Sequence, residues 1–302
     1  MENDIVRKYP PFDAFLLGLP KCGTTWLSEV LSSNPSIAFS NPKEPNLVAS
    51  RVSTFDRSTD NPNYDGYDKI FSGEGFRIDG SVHTFTCPHA PSRILEANSQ
   101  SKFIICLREP IDRAHSHWKM IRDIGSDISN DENWDTFEKA WDDTRFREES
   151  LWAESMQRWL DSFDRDSFYI IDSSQMKSDP KKVLDNISKH LGLPGYEYDL
   201  SININSNRSI DRRKPTIIGT SIKYVVSLIP DSIRIMLSKP LQKRSINIYN
   251  LPLISRGAKH QNIESRDYLY CSEQVISDLV KFENITGFKT SHWINRINEY
   301  IR

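Results

Sequence analysis

The sequence predicts an α/β protein, a central parallel sheet flanked by helices in three layers, and three observations carry that prediction. Short apolar runs of strand length recur along the chain, at Ala14 to Leu19, Lys102 to Leu107 and Phe168 to Ile171. Each is followed by a segment with helix signals, in apolar spacing or in end residues. The first run leads into a turn carrying Pro20, Lys21 and Gly23 and then into a helix. That strand–loop–helix order turns free backbone N–H groups and the positive end of a helix dipole toward an anion.

The totals bound the reading. The chain has 302 residues, 37% hydrophobic and 26% charged, with a net charge of −2. That is an ordinary globular composition without a global pull toward nucleic acid or an anionic membrane, so any anion site is local. Four cysteines, Cys22, Cys87, Cys106 and Cys271, are scattered without a C-x-x-C pair, which points to neither a zinc site nor a disulfide framework. A reducing cytoplasm is the expected compartment. The first residues are charged and lack an apolar signal core. No apolar run reaches the length of a membrane span; the longest, Ile217 to Ile229, is interrupted by Lys223. With no repeat and no long linker, residues 1–302 are expected to form a single domain behind a polar lead-in, residues 1–13.

Taken in order, the first strand and its loop are followed by a helix from Thr24 to Leu31, with apolar residues at Trp26, Leu27, Val30 and Leu31. Asn34-Pro35 ends it, because the residue before proline avoids the α region. Ile37 to Phe39 makes a short second strand. Asn41-Pro42-Lys43-Glu44-Pro45 makes a rigid turn whose prolines leave both charged side chains free. Residues 50–75 read as polar loop with one short helix near Tyr67, and a helix opens at Ala90. The strand ending at Leu107 is followed by Arg108 and by a helix with Pro110 in its first turn. Residues 130–163 carry a stripe of aromatics, Trp134, Trp141, Trp152 and Trp159 among them, mostly core with one or two faces left for a ligand groove. Leu151 to Leu160 is an amphipathic helix. Asp179-Pro180 caps and opens a helix that Gly192 closes. A basic cluster with Arg208, Arg212 and Arg213 precedes an amphipathic segment at 217–241, and a last helical stretch from Tyr268 leads to Gly287 and Trp293.

The nature of the anion is the next question. The ATP-binding version of the loop is G-x-x-x-x-G-K-[ST]. Gly18 and Gly23 keep the glycine spacing, but Thr24 stands where the lysine belongs and the loop's lysine, Lys21, follows Pro20. Pro20-Lys21-Cys22-Gly23-Thr24-Thr25-Trp26-Leu27 instead resembles the phosphosulfate loop of sulfotransferases that use 3′-phosphoadenosine-5′-phosphosulfate (PAPS). The Lys43-Glu44-Pro45 segment resembles carbohydrate sulfotransferases of the heparan-sulfate type. The resemblance runs from about Asp13 to Trp293, and it implies a P-loop-like fold and sulfonate transfer from PAPS to an acceptor hydroxyl, most readily on a glycan, by in-line displacement. It implies nucleotide contacts from Lys21, Cys22, Gly23, Thr24, Thr25 and Trp26, with Trp26 either stacked on adenine or part of the core. Arg108 and Ser116 take the 3′-phosphate, and Arg208, Arg212 and Arg213 close over the nucleotide. Lys21 meets the charge on the leaving oxygen, and Glu44 is the general base, with His83 second and Asp79 third. The Arg77 to Phe85 stretch departs from the family pattern, since Gly80 replaces a lysine expected to stabilise the leaving group. No metal, nucleic acid or membrane partner is implied; the product is 3′-phosphoadenosine-5′-phosphate. Two other readings stay open: a P-loop phosphotransferase acting on ATP, and a nucleotide-binding module without catalysis.

Overall fold

The strands β1 (Ala14–Gly18), β2 (Ile37–Phe39), β3 (Phe76–Asp79), β4 (Lys102–Leu107) and β5 (Phe168–Asp172) form one parallel sheet in the order β2-β3-β1-β4-β5. The structure, a computed structural model, describes residues 12–49, 51–57, 64–200 and 263–302 and two short strands, β6 (Arg213–Pro215) and β7 (Ser255–Gly257), which pair antiparallel. Arg208, Arg212 and the segment 217–241 lie outside the described residues.

β1 is buried along its whole length, as expected of a central strand covered on both faces. The register sets Phe15 beside Phe103 and Phe103 beside Phe168. The three rings therefore stack across the sheet, with centroids 6.1 and 4.9 Å apart. One strand has no counterpart in the sequence reading. Phe76–Asp79 is only four residues long, and its alternation of Phe76 and Ile78 is too short to stand out from the polar loop before it.

The helices follow the signals closely. α1 (Thr24–Leu31) leaves β1, α2 (Ala90–Ala97) precedes β4, and α3 (Pro110–Ile124) leaves β4. The Glu109 side chain caps α3 by accepting from the N–H groups of Ile111 and Asp112. Three short helices, α4 (Ser126–Ser129), α5 (Phe137–Asp142) and α6 (Thr144–Arg147), lead to α7 (Ala153–Leu160) and then β5. Beyond it lie α8 (Gln175–Ser178) and α9 (Pro180–Leu191); Asp179 caps α9 by accepting from the Lys182 N–H. α10 (Ser265–Thr286) and α11 (Ser291–Ile301) close the chain.

The tryptophan stripe is core throughout, which corrects the expectation that part of it faces a ligand. Trp134, Trp141, Trp152 and Trp159 are all buried. Three of the indole N–H groups are satisfied from within: Trp141 donates to Gln274 Oε1 at 3.0 Å, Trp152 to the Glu149 carbonyl at 3.2 Å and Trp159 to the Phe85 carbonyl at 2.9 Å. A buried indole with its donor used has no polar reason to reach the surface.

From β1 the chain crosses to β2, while from β3 it crosses to β4 on the other side of β1. Connections leaving in opposite directions open a crevice beyond the carboxyl ends of β1 and β4, where open α/β sheets bind their ligands.

Candidate active site

The loop after β1 is built by conformation and by close packing. Gly18 lies against the backbone of β4: a Cβ there would stand 2.9 Å from the Cys106 carbonyl oxygen. Lys21 has φ 79° and Gly23 φ 87°, and a Cβ on Gly23 would stand 2.8 Å from Met176 Cε on α8. Gly23 is also the N-cap of α1, and no side chain caps that end. The helix therefore presents N–H groups to the crevice without a side-chain acceptor of its own. Cys22 is buried, and burial pushes its thiol up to about 11, so it is a small protonated loop residue and no nucleophile.

A cleft of about 620 Å³ opens over this loop. Residues 20–26 line it, and with them come Glu44, His83, Arg108 and Ser116. The structure thus brings together residues dispersed over four connections of the fold. Trp26 borders the cleft although largely buried, and its indole nitrogen has no hydrogen-bond partner among the described residues. Of the basic cluster, Arg213 begins β6, and its two companions are outside the described residues.

Arg108 and Ser116 reach the cleft from β4 and α3. The Arg108 side chain is 36% exposed, with its nearest carboxylate, Asp112, 3.8 Å away. Asp112 is engaged elsewhere, accepting from Arg296 at 2.7 Å and from the Tyr268 hydroxyl at 3.1 Å. The strand-end arginine accordingly keeps its fork open toward the cleft.

The Lys43-Glu44 turn differs from expectation. Its two charged side chains are not independent: Lys43 Nζ donates to Glu44 Oε1 at 2.6 Å and to Thr24 Oγ1 at 3.4 Å. Ser40 Oγ holds the turn by donating to the Lys43 carbonyl at 2.8 Å and accepting from the Gly80 N–H at 3.1 Å. This packing explains Gly80. A Cβ at that position would stand 2.6 Å from the Lys43 carbonyl oxygen, so no lysine fits where the family pattern has one. Lys43 was not singled out by the sequence reading, though its adjacency to Glu44 was a usable signal. Ser173, just after β5, and Lys177, on α8, also line the cleft without having been expected there.

His83 is 7% exposed, and burial lowers its pKa, leaving the ring neutral near pH 7. Asp79 does not line the cleft. It is fully buried, one oxygen accepting from the Ser81 N–H at 2.8 Å and the other without a partner among the described residues. Burial pushes its carboxyl up to about 6.

Behind His83 lies a charge cluster that sequence reading did not assemble. Glu149 is fully buried; it accepts from Thr54 Oγ1 at 2.9 Å and stands 3.6 Å from His83 Nδ1 and 3.6 Å from Arg113 Nη1. His117 Nδ1 is 2.9 Å from Oε2, an ion pair only when the ring is protonated and out of line for a hydrogen bond, which leaves that oxygen without a well-aligned donor among the described residues. Burial opposes the ionisation of Glu149, but His117, His83 and Arg113 outweigh it and hold the carboxyl down to about 2. Arg113, also fully buried, donates to Ser150 Oγ at 2.7 Å and to the Pro20 carbonyl of the loop at 3.4 Å.

Fold and site together define a phosphate-loop α/β protein whose anion cradle opens onto a broad cleft. The chain belongs to the sulfotransferase domain family, whose profile matches residues 11–212. It is 27% identical over 222 residues to heparan sulfate glucosamine 3-O-sulfotransferase 5 of Mus musculus, a match covering 68% of this chain and 60% of that protein. It is likewise 27% identical over 208 residues to the bifunctional heparan sulfate N-deacetylase/N-sulfotransferase 3 of Homo sapiens, covering 64% of this chain and 24% of that one. The matches therefore span less than two thirds of these relatives. A crystal structure of a sulfotransferase from Alicyclobacillus acidocaldarius has the same fold, with a TM-score of 0.60 at 18% identity, covering 94% of this chain and 99% of that one.

Proposed function

We propose that the protein transfers a sulfonate group from PAPS to a hydroxyl of a carbohydrate acceptor. The observation that carries this reading is the Lys43 bridge, which ties the Glu44 carboxylate to Thr24 of the anion loop inside one cleft. The cleft fits an adenosine bisphosphate. Its volume lies in the range of small-molecule sites, α1 offers an N-terminus free of a side-chain cap, and Lys21, Arg108 and Lys177 line the walls. The nucleotide supplies an activated sulfonate and a phosphate leaving group.

The residues of this chain then have separable tasks. The loop N–H groups with Thr24 and Thr25 hold the 5′ end, and Arg108 with Ser116 holds the 3′-phosphate, which fixes an in-line approach. Glu44 takes the proton of the acceptor hydroxyl as its oxygen bonds to sulfur and the bond from sulfur to the phosphate oxygen breaks. Lys21 and Lys43 meet the charge left on that oxygen. Lys43 thereby takes the place of the lysine that Gly80 excludes. His83, neutral and near Glu44, shapes the acceptor side. Heparan sulfate relatives favour a carbohydrate acceptor; Thr24 in the position of the ATP-site lysine weighs against a kinase-like reaction.

The test is transfer of ³⁵S from labelled PAPS to a glycan panel in the presence of EDTA. Labelled glycan is the expected product. Tight binding of 3′-phosphoadenosine-5′-phosphate without transfer to any hydroxyl would instead leave a nucleotide-binding module.

A further inference from the structure

The charges lining the cleft are unevenly distributed. Its lysine and arginine residues are Lys21, Arg108 and Lys177. They stand on the connections after β1, β4 and β5, beside the loop that α8 clamps through Met176. Away from that loop the lining contains Glu44, whose carboxylate is already paired with Lys43 at 2.6 Å, two histidines and an apolar wall of Phe55, Val82, Met120, Ile121 and Ile124, and among the described lining residues there is no further lysine or arginine. Ser116, Met120 and Ile124 recur at four-residue spacing, so one face of α3 runs along the cleft for about 12 Å from the anion end outward. Ile124 is the most exposed large apolar side chain of the described residues, at 69%. The two nearby arginines that could have supplied positive charge are committed: Arg57 is bonded to Glu148 at 2.6 Å, and Arg51 pairs with the same carboxylate at 3.2 Å.

Building on the sulfonate-transfer reading above, we propose that the acceptor is an uncharged glycoside bearing an apolar aglycone, with the aglycone lying along the α3 wall and the hydroxyl at Glu44. A polyanionic glycan needs cations along its groove, because complementary charge both steers it in and rejects wrong partners. Here it would meet an apolar surface and a lysine, Lys43, already paired with Glu44. An alkyl or aryl portion, in contrast, gains by covering Met120, Ile121 and Ile124. The wall is continuous with the anion end of the cleft, so an occupant of it is held next to the donor.

The experiment compares methyl, butyl and octyl β-glucosides, below micellar concentrations, with a heparan sulfate oligosaccharide as acceptors for labelled sulfonate. Binding of octyl glucoside and of the oligosaccharide to the protein loaded with 3′-phosphoadenosine-5′-phosphate is measured in parallel by calorimetry. With each methylene half-covered by the wall, kcat/KM should rise about twofold per carbon, or about a hundredfold from methyl to octyl. Ile124→Lys, at an exposed position, should lower that gain about tenfold and tighten the oligosaccharide. A flat alkyl series, or an oligosaccharide that binds and reacts better than octyl glucoside, overturns the acceptor class while leaving sulfonate transfer intact. Absence of transfer to every acceptor removes the transfer reading itself, and the acceptor proposal with it.

Discussion

Glu149→Gln is the substitution with the sharpest structural consequence. In the native protein Glu149 and Arg113 are both fully buried and face each other at 3.6 Å. The glutamine keeps the size and still accepts from Thr54, but removes the only carboxylate near the Arg113 guanidinium among the described residues. What remains around that cation is Ser150 Oγ, the Pro20 carbonyl and a neutral histidine. Breaking a buried pair and leaving one charge costs about 3–5 kcal/mol. For a chain of this length the unfolding entropy converts that to a fall in Tm of roughly 5–8 °C. Because Arg113 also contacts the loop at Pro20, affinity for 3′-phosphoadenosine-5′-phosphate should fall as well. Differential scanning calorimetry and titration of the nucleotide give both readouts. The double variant Glu149→Met, Arg113→Met, which removes both charges, should be more stable than the single variant. A Tm within about 2 °C of the parent for Glu149→Gln would refute the claim that this carboxylate neutralises Arg113.

Three further outcomes are expected. Arg108→Ala should weaken binding of 3′-phosphoadenosine-5′-phosphate by about 2 kcal/mol, some thirtyfold, and leave AMP nearly unaffected, since the lost charge-assisted contact belongs to the 3′-phosphate; calorimetry with both nucleotides decides it. Glu44→Gln should cut kcat by about 10² to 10⁴ with donor affinity little changed, whereas Lys43→Ala should lower kcat and donor affinity together, and equal effects of the two on donor binding would argue against the division of roles. Stability should fall on acidification in two stages. Burial lowers His117 from 6.5 to about 4 and His115 likewise, so the unfolded chain binds more protons in that window and stability, full above about pH 6.5, declines toward 4. Glu149, held near 2 against an ordinary 4.5, adds stability that is lost as pH falls further through about 2. Urea midpoints that stay constant from pH 7 to pH 4 would contradict the first stage.

The parts of the site legible in the sequence are those made of neighbours along the chain. An apolar strand, a turn with Pro20, Lys21 and Gly23, and a helix from Thr24 are determined by local steric and hydrophobic preferences, and the structure has them at those positions. The same holds for Arg108 and Ser116, whose separation is set by a strand end and two turns of α3, and for the capped helix closed by Gly192. The tertiary structure alone decided what depends on strand order and on packing at a distance. Placing β3 between β2 and β1 puts Gly80 against the Lys43 carbonyl, which excludes a side chain there and leaves the second cation to Lys43 beside Thr24. Glu149 meets Arg113, His117 and His83 because three separate segments converge under the cleft, and no spacing in the chain announces that. The tryptophan stripe went to the core for a similar reason. Trp141 and Trp159 donate to acceptors on distant segments, Gln274 and Phe85, and those acceptors are placed by the fold.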